Sequence, residues 1–126
     1  MTEDSRRAQE MGEDISRLLI SLQKQGRPAI LFVSGGSALE PLENVSSESL
    51  SGLVTITTLD ERYDPSGKDS NFAALTKTHF FRRAQMRETQ VIDTSVLFNE
   101  SPNELAARIR EDVGAWMKEN PQGILI

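Results

Sequence analysis

The sequence predicts an α/β fold built on a parallel sheet, on three observations. Segments with a helical hydrophobic repeat alternate with short β-branched or apolar runs along the whole chain. The run Ala29-Ile30-Leu31-Phe32-Val33 is apolar at every position, the pattern of a strand covered on both faces. Gly-rich or Pro-containing breaks, Gly26-Arg27-Pro28 and Ser34-Gly35-Gly36-Ser37, flank that run.

Each element follows from its residues. Met11, Ile15, Leu18, Leu19 and Leu22 lie on one stripe of a 3.6-residue repeat and predict the first helix. Gly26 suits a left-handed cap and Pro28 cannot continue the turn, so the helix stops there. Residues 29–33 form the first strand, which Ser34-Gly35-Gly36-Ser37 breaks, and a short helix is expected over 38–45. Residues 46–52 are small and polar, a connection; residues 53–59, with Val54, Ile56 and three threonines, are the second strand. A polar loop over 60–70 leads to a helix over 71–81 with Phe72, Leu75 and Phe80 available for burial. A weaker third strand spans 89–93 around Val91-Ile92. The last helix has a capping box, with Ser101 as N-cap, Pro102 at the first helical position and Glu104 at the third. Its apolar stripe is Leu105, Ile109, Val113 and Trp116, it ends at Asn120-Pro121, and residues 123–126 make a fourth strand. Strands alternating with helices imply right-handed crossovers, hence a Rossmann-like three-layer sheet with helices on both faces. The expected strand order is 3-2-1-4, with the ligand crevice at the switch point between strands 1 and 4.

Composition narrows the function. The chain has 126 residues and carries 14 basic against 19 acidic side chains, a net charge of −5, which argues against a nucleic-acid partner. It has no cysteine, so disulfides, thiol catalysis and thiolate metal sites are excluded. The longest unbroken apolar run, residues 29–33, is far short of the ~20 that span a bilayer, and the polar start resembles no signal peptide. A cytoplasmic protein with no membrane partner is the expectation. The apolar Gly123-Ile124-Leu125-Ile126 end is unusual for a terminus and reads as a buried strand.

Chemistry is expected beyond the carboxyl ends of the strands. After the first strand, Gly35 and Gly36 let a backbone approach a ligand closely, the following helix start offers free N–H groups, and Ser34 and Ser37 add hydroxyls. A phosphate or other anion suits that loop, although a Gly-Gly pair also serves simply as a turn. The loop has neither the Walker spacing nor the dinucleotide fingerprint. After the second strand, Asp60-Glu61-Arg62-Tyr63-Asp64 offers an acid and an arginine as base, anchor or oxyanion stabiliser, or else a solvated loop with a local ion pair. Asp60 and Glu61, adjacent in an extended chain, point oppositely and do not make a coupled carboxylate pair. Asp64, Asp69 and Asn71 lack the spacing of a calcium loop, so no metal is expected. His79, the single histidine, reads as a packing or surface residue on a helix rather than a base.

These pieces, in order and spacing, resemble a family. Ser34-Gly35-Gly36-Ser37 after a strand, Asp60-Glu61-Arg62-Tyr63 after the next, then Ser70-Asn71-Phe72, look like the N-terminal half of the 6-phosphogluconolactonase and glucosamine-6-phosphate isomerase/deaminase family, over residues 8–126. The resemblance implies that Ser34, Gly35, Gly36 and Ser37 contribute to sugar-phosphate binding and that Asp60 and Arg62 lie in the active site. Arg62 points to the lactonase branch, since the deaminases carry Asp-Glu-Tyr instead. The implied reaction is hydrolysis of 6-phosphoglucono-δ-lactone to 6-phosphogluconate, with no cofactor, in the pentose phosphate pathway.

Two departures qualify it. Ala38-Leu39 stand where the family has Ser/Thr-Pro, which removes a hydroxyl near the phosphate. The family's Gly-x-Gly-x-Asp-Gly-His motif, which carries the base, is expected directly after Ile126 and is not in this sequence. The expectation is therefore the N-terminal part of a single domain, truncated after its fourth strand and nearly inactive alone. Rival readings are an isomerase or deaminase with Asp60 moving a proton, and a non-catalytic sugar-phosphate-binding module. A further reading is a half that self-associates or pairs through its exposed sheet edge.

Overall fold

A computed structural model describes residues 2–126. Four strands form one all-parallel sheet: β1 (Ala29–Val33), β2 (Val54–Thr58), β3 (Gln90–Val91) and β4 (Ile124–Leu125). Their order is β3-β2-β1-β4, the order expected. β1 and β2 pair along their full length, from Ala29 opposite Val54 to Val33 opposite Thr58. The outer strands are shorter than the sequence suggests, with two residues each in regular pairing.

Side chains alternate across the sheet. Ala29, Leu31, Val33, Val54 and Ile56 face one side and join the main core with Leu42, Leu50, Leu75, Phe80 and Phe81. That face is covered by helices α1 (Glu3–Lys24), α2 (Asn71–Thr76) and α3 (His79–Met86) and by three 3-10 turns. The opposite face takes α4 (Pro102–Glu119), whose buried Trp116 donates its indole N–H to Thr55 Oγ1 at 3.1 Å. Leu125, paired with Ile30 on that face, is 51% exposed. Among the described residues no helix is long and apolar enough to cross a membrane.

Three elements depart from the sequence reading. The α1 stripe is shifted: Ala8, Gly12, Ser16, Leu19 and Leu22 are buried, whereas Met11 and Leu18 are 53% and 42% exposed. The cause is close packing, because a Cβ on Gly12 would lie 2.5 Å from the Pro41 carbonyl and overlap Asn44 Cβ. Ser16 completes the seam, donating to Gly12 O at 2.8 Å and accepting from Ser46 N at 2.9 Å. Small residues, not large ones, define this interface.

The helix expected over 38–45 is two 3-10 turns, Gly36–Leu39 and Pro41–Asn44, with a third at Ser47–Ser49. Pro41 has no backbone N–H to donate, so it starts a new turn rather than continuing one. The helix expected over 71–81 is divided between α2 and α3. Thr78 makes the break: its hydroxyl donates to Leu75 O at 2.7 Å and accepts from Phe81 N at 3.0 Å, closing one helix and capping the next. The α4 capping box forms as predicted, with Glu104 N to Ser101 Oγ at 3.2 Å and Ser101 N to Glu104 Oε1 at 3.0 Å.

Candidate active site

The in-register pairing of Val33 with Thr58 brings the loops after β1 and β2 out side by side at one edge of the sheet. Leu59 N extends the ladder by donating to Val33 O at 2.8 Å. The two glycines after β1 are needed for different reasons. Gly36 has φ 67°, the left-handed region that a Cβ disfavours. Gly35 is extended, but a Cβ there would meet the Asn71 side chain, with Cγ at 3.0 Å and Oδ1 closer still. Ser34 is half-buried, and Gly36 and Ser37 are exposed.

Asn71 is the bridge between the loops. Besides packing on Gly35, it donates Nδ2 to Asp60 O at 2.8 Å and Leu59 O at 3.4 Å. The loop of Ser34, Gly35, Gly36 and Ser37 is thus joined at Gly35 to the backbone of Asp60, two residues before Arg62, by the first residue of α2.

Asp60 has φ 53°, which turns the chain sharply as it leaves β2. Asp is among the few residues with a Cβ that adopt this conformation at low cost. Its neighbour Glu61 points inward and accepts five hydrogen bonds. Oε2 takes Thr58 Oγ1 at 2.8 Å, Thr94 Oγ1 at 2.5 Å and Phe72 N at 3.0 Å; Oε1 takes Asn71 N at 2.7 Å and Arg62 N at 2.9 Å. The carboxylate sits on the N-terminus of α2, where free N–H groups and the helix dipole favour negative charge. Ser70, the buried N-cap, adds its own bond to Ala73 N at 3.0 Å. With five donors on its two oxygens, Glu61 clasps the loop after β2 to the start of α2. Thr58 and Thr94, which donate to the same Glu61 oxygen, also touch through their hydroxyls, which ties the end of β2 to the segment after β3.

Asp60 and Arg62 are both exposed, and among the described residues their side chains make no hydrogen bond or ion pair. The local Arg–carboxylate pair that the sequence allowed does not form. An acid and a cation are instead left free at the edge, next to the glycine loop. Asp64 is occupied locally, accepting from Ser66 Oγ at 2.7 Å, Ser66 N at 3.0 Å and Asp69 N at 2.7 Å, which holds its carboxyl below the usual range. Among the described residues no three His, Cys, Asp or Glu side chains converge on a metal-sized point.

His79 lies elsewhere. It opens α3 with a 75% exposed side chain, its Nδ1 3.3 Å from Glu43 Oε2. Glu43 Oε1 accepts Phe80 N at 2.9 Å, so this pair belongs to the capping of α3. Open grooves adjoin the ledge. One of about 550 Å³ is lined by Tyr63, Pro65 and residues 96–102; another of about 400 Å³, by Glu61, Tyr63, Leu105 and Ile109.

Sequence reasoning missed the roles of Glu61, Thr58 and Thr94. Ser70-Asn71 signals a helix start, but nothing local tells that an acid from the preceding loop reaches back to it.

An all-parallel α/β sheet with a glycine loop, an exposed acid and an exposed arginine after adjacent strands defines the class: an α/β protein of Rossmann-like build. The profile of the Glucosamine-6-phosphate isomerases/6-phosphogluconolactonase family matches residues 2–124, and the chain belongs to that family of sugar-phosphate enzymes. No curated protein and no solved structure matches the chain.

Proposed function

We propose that this chain carries the substrate-binding and oxyanion-stabilising part of a 6-phosphogluconolactonase-type site. The observation that supports it is Arg62, an exposed guanidinium with no side-chain partner among the described residues, two residues after the Asp60 backbone that Asn71 ties to Gly35. In the hydrolysis, water oxygen bonds to the lactone carbonyl carbon. The carbonyl oxygen gathers negative charge, the ring C–O bond breaks, and the ring oxygen leaves as a hydroxyl. Arg62 stabilises the developing oxyanion, while Ser34, Gly35, Gly36 and Ser37 hold the phosphate or sugar hydroxyls. Ala38 in place of a hydroxyl residue reduces the number of phosphate donors.

None of the 126 residues matches the histidine base that the family resemblance implies, and His79 lies exposed at the start of α3 beside Glu43. A general base contributes typically 10²–10⁴-fold to rate, so the 126-residue chain by itself turns over slowly or not at all. Binding is the direct test. Titration calorimetry with 6-phosphogluconate, the stable product, is expected to show binding that Arg62→Ala weakens about tenfold or more, as for a lost charge-assisted hydrogen bond. An Arg62→Ala variant that binds as tightly as the parent overturns the assignment.

The free carboxylate of Asp60 supports a second reading, isomerase or deaminase chemistry, in which it moves a proton at the carbon next to the carbonyl. Incubation with glucosamine 6-phosphate in deuterium oxide separates the two. Solvent deuterium entering the sugar C2 position, lost in Asp60→Asn, favours the isomerase; its absence beside 6-phosphogluconate binding favours the lactonase.

A further inference from the structure

Arg62 is exposed and unpartnered, so its orientation depends on the backbone at either side. On one side stands Glu61 with its five hydrogen bonds, one of them to the Arg62 amide at 2.9 Å. On the other side stands Tyr63, whose hydroxyl donates to the Glu100 carbonyl at 2.5 Å across a separation of 37 residues. Glu100 is itself held. Its side chain, 9% exposed, takes Arg108 Nε on Oε2 at 2.8 Å and Arg108 Nη2 on Oε1 at 3.0 Å, a two-pronged pair. The same oxygen Oε1 accepts Leu97 N at 3.0 Å, and Leu97 O accepts Glu100 N at 3.0 Å.

Arg108 does more than pair. Nη1 donates to Asp93 O at 2.9 Å and Nη2 to Ser95 O at 2.5 Å, so together with its pair to Glu100 one α4 side chain holds the start and the end of the loop after β3. Inside that loop Asp93 Oδ1 accepts Ser95 N at 2.8 Å and Ser95 Oγ at 2.6 Å. Among the described residues every other ion pair formed by an arginine joins well-exposed side chains within one helix turn. This one is sheltered and links α4, the loop after β3 and the loop after β2.

We propose that Tyr63, Glu100 and Arg108 form a latch that positions Arg62 for an anionic sugar substrate. The proposal rests on the reading of Arg62 as a substrate-binding group. Arg108 fixes the loop, the loop presents the Glu100 carbonyl, and Tyr63 anchors the residue next to Arg62 on it. Tyr63, Glu100 and Arg108 are positioning residues. A guanidinium whose backbone is already ordered loses less conformational freedom when it binds an anion.

Tyr63→Phe tests this with the least disturbance, since it keeps the ring and removes only the donor. Nitrogen-15 relaxation of the full chain is expected to show lower order at residues 62–64, with β2 and α4 unchanged. Affinity for 6-phosphogluconate is expected to fall about two- to tenfold, the scale of one hydrogen bond. In an Arg62→Ala background the same substitution is expected to have no further effect, because its action passes through Arg62. Additive losses in the two backgrounds overturn the proposal.

Arg108→Lys, which keeps the charge and loses the fork, is expected to loosen residues 93–100 and 62–64 together. Loosening of the first segment alone overturns the latch. If the parent chain binds no 6-phosphogluconate, the functional reading fails and the relaxation data alone judge the latch. Unchanged order at 62–64 in Tyr63→Phe overturns it, and raised mobility there upholds it.

Discussion

Asp60 and Glu61 show how two adjacent acids acquire different tasks. The left-handed turn at Asp60 lets its carboxylate stay in solvent while that of Glu61 closes on the start of α2. Glu61→Gln places an amide N–H where a hydrogen-bond donor already points, leaving buried donors unpaired. It is expected to destabilise the fold by about 1–3 kcal/mol in denaturant unfolding. Asp60 gives the opposite sign for a small residue. Asp60→Gly removes the Cβ from a left-handed position and is expected to be neutral or slightly stabilising, whereas Asp60→Val is expected to cost about 1 kcal/mol or more. A lower denaturant midpoint for Asp60→Gly than for Asp60→Val contradicts that account.

At the scale of elements, small residues set the packing that large ones usually signal. Gly12 brings α1 against the turn at Pro41–Asn44 so closely that any side chain collides with backbone. Gly12→Ala is therefore expected to destabilise by about 1–3 kcal/mol despite the better helix propensity of alanine, read as a shift in thermal midpoint. The division of α2 from α3 rests on one hydroxyl, and Thr78→Ala is expected to cost about 0.5–2 kcal/mol. Periodicity could not place that break, because Leu75, Phe80 and Phe81 are buried on both sides of it. The capping box of α4 was legible because its partners lie three residues apart.

For the whole molecule, acid is the informative variable. The Arg108 hydrogen bonds, the Leu97 N–H and the Arg108 charge hold the Glu100 carboxyl below its ordinary value of 4.5. Asp64, held by Ser66 and the Asp69 amide, lies below its ordinary 3.8. A carboxyl depressed in the folded state contributes stability that is complete above its unfolded value and lost as pH falls through the folded one. The thermal midpoint is thus expected to decline as pH drops from 4.5, and Glu100→Gln to flatten that decline. A Glu100→Gln profile that parallels the parent's would remove Glu100 from the account. Arg108 was invisible in the sequence as the key to this pair. Its partners Glu100, Asp93 and Ser95 lie 8 to 15 residues away, at no helical spacing that identifies them.

The sequence by itself determined the α/β class and the parallel sheet, and the expected strand order 3-2-1-4 is the one the structure has. The class and the sheet follow from local periodicity, from a strand apolar on both faces and from the handedness of crossovers. It also located the glycine loop, the acid and the arginine at strand ends. Only the tertiary structure decided which of those residues are spent on the fold and which stay free. Glu61 is consumed by α2, Asn71 by the two loops, and Arg108 by the segment after β3, whereas the side chains of Asp60 and Arg62 stay exposed to solvent. The physical reason is that a polar side chain's role is set by the donors and acceptors brought to it through space. Those partners come from other elements, and no one-dimensional pattern records their approach.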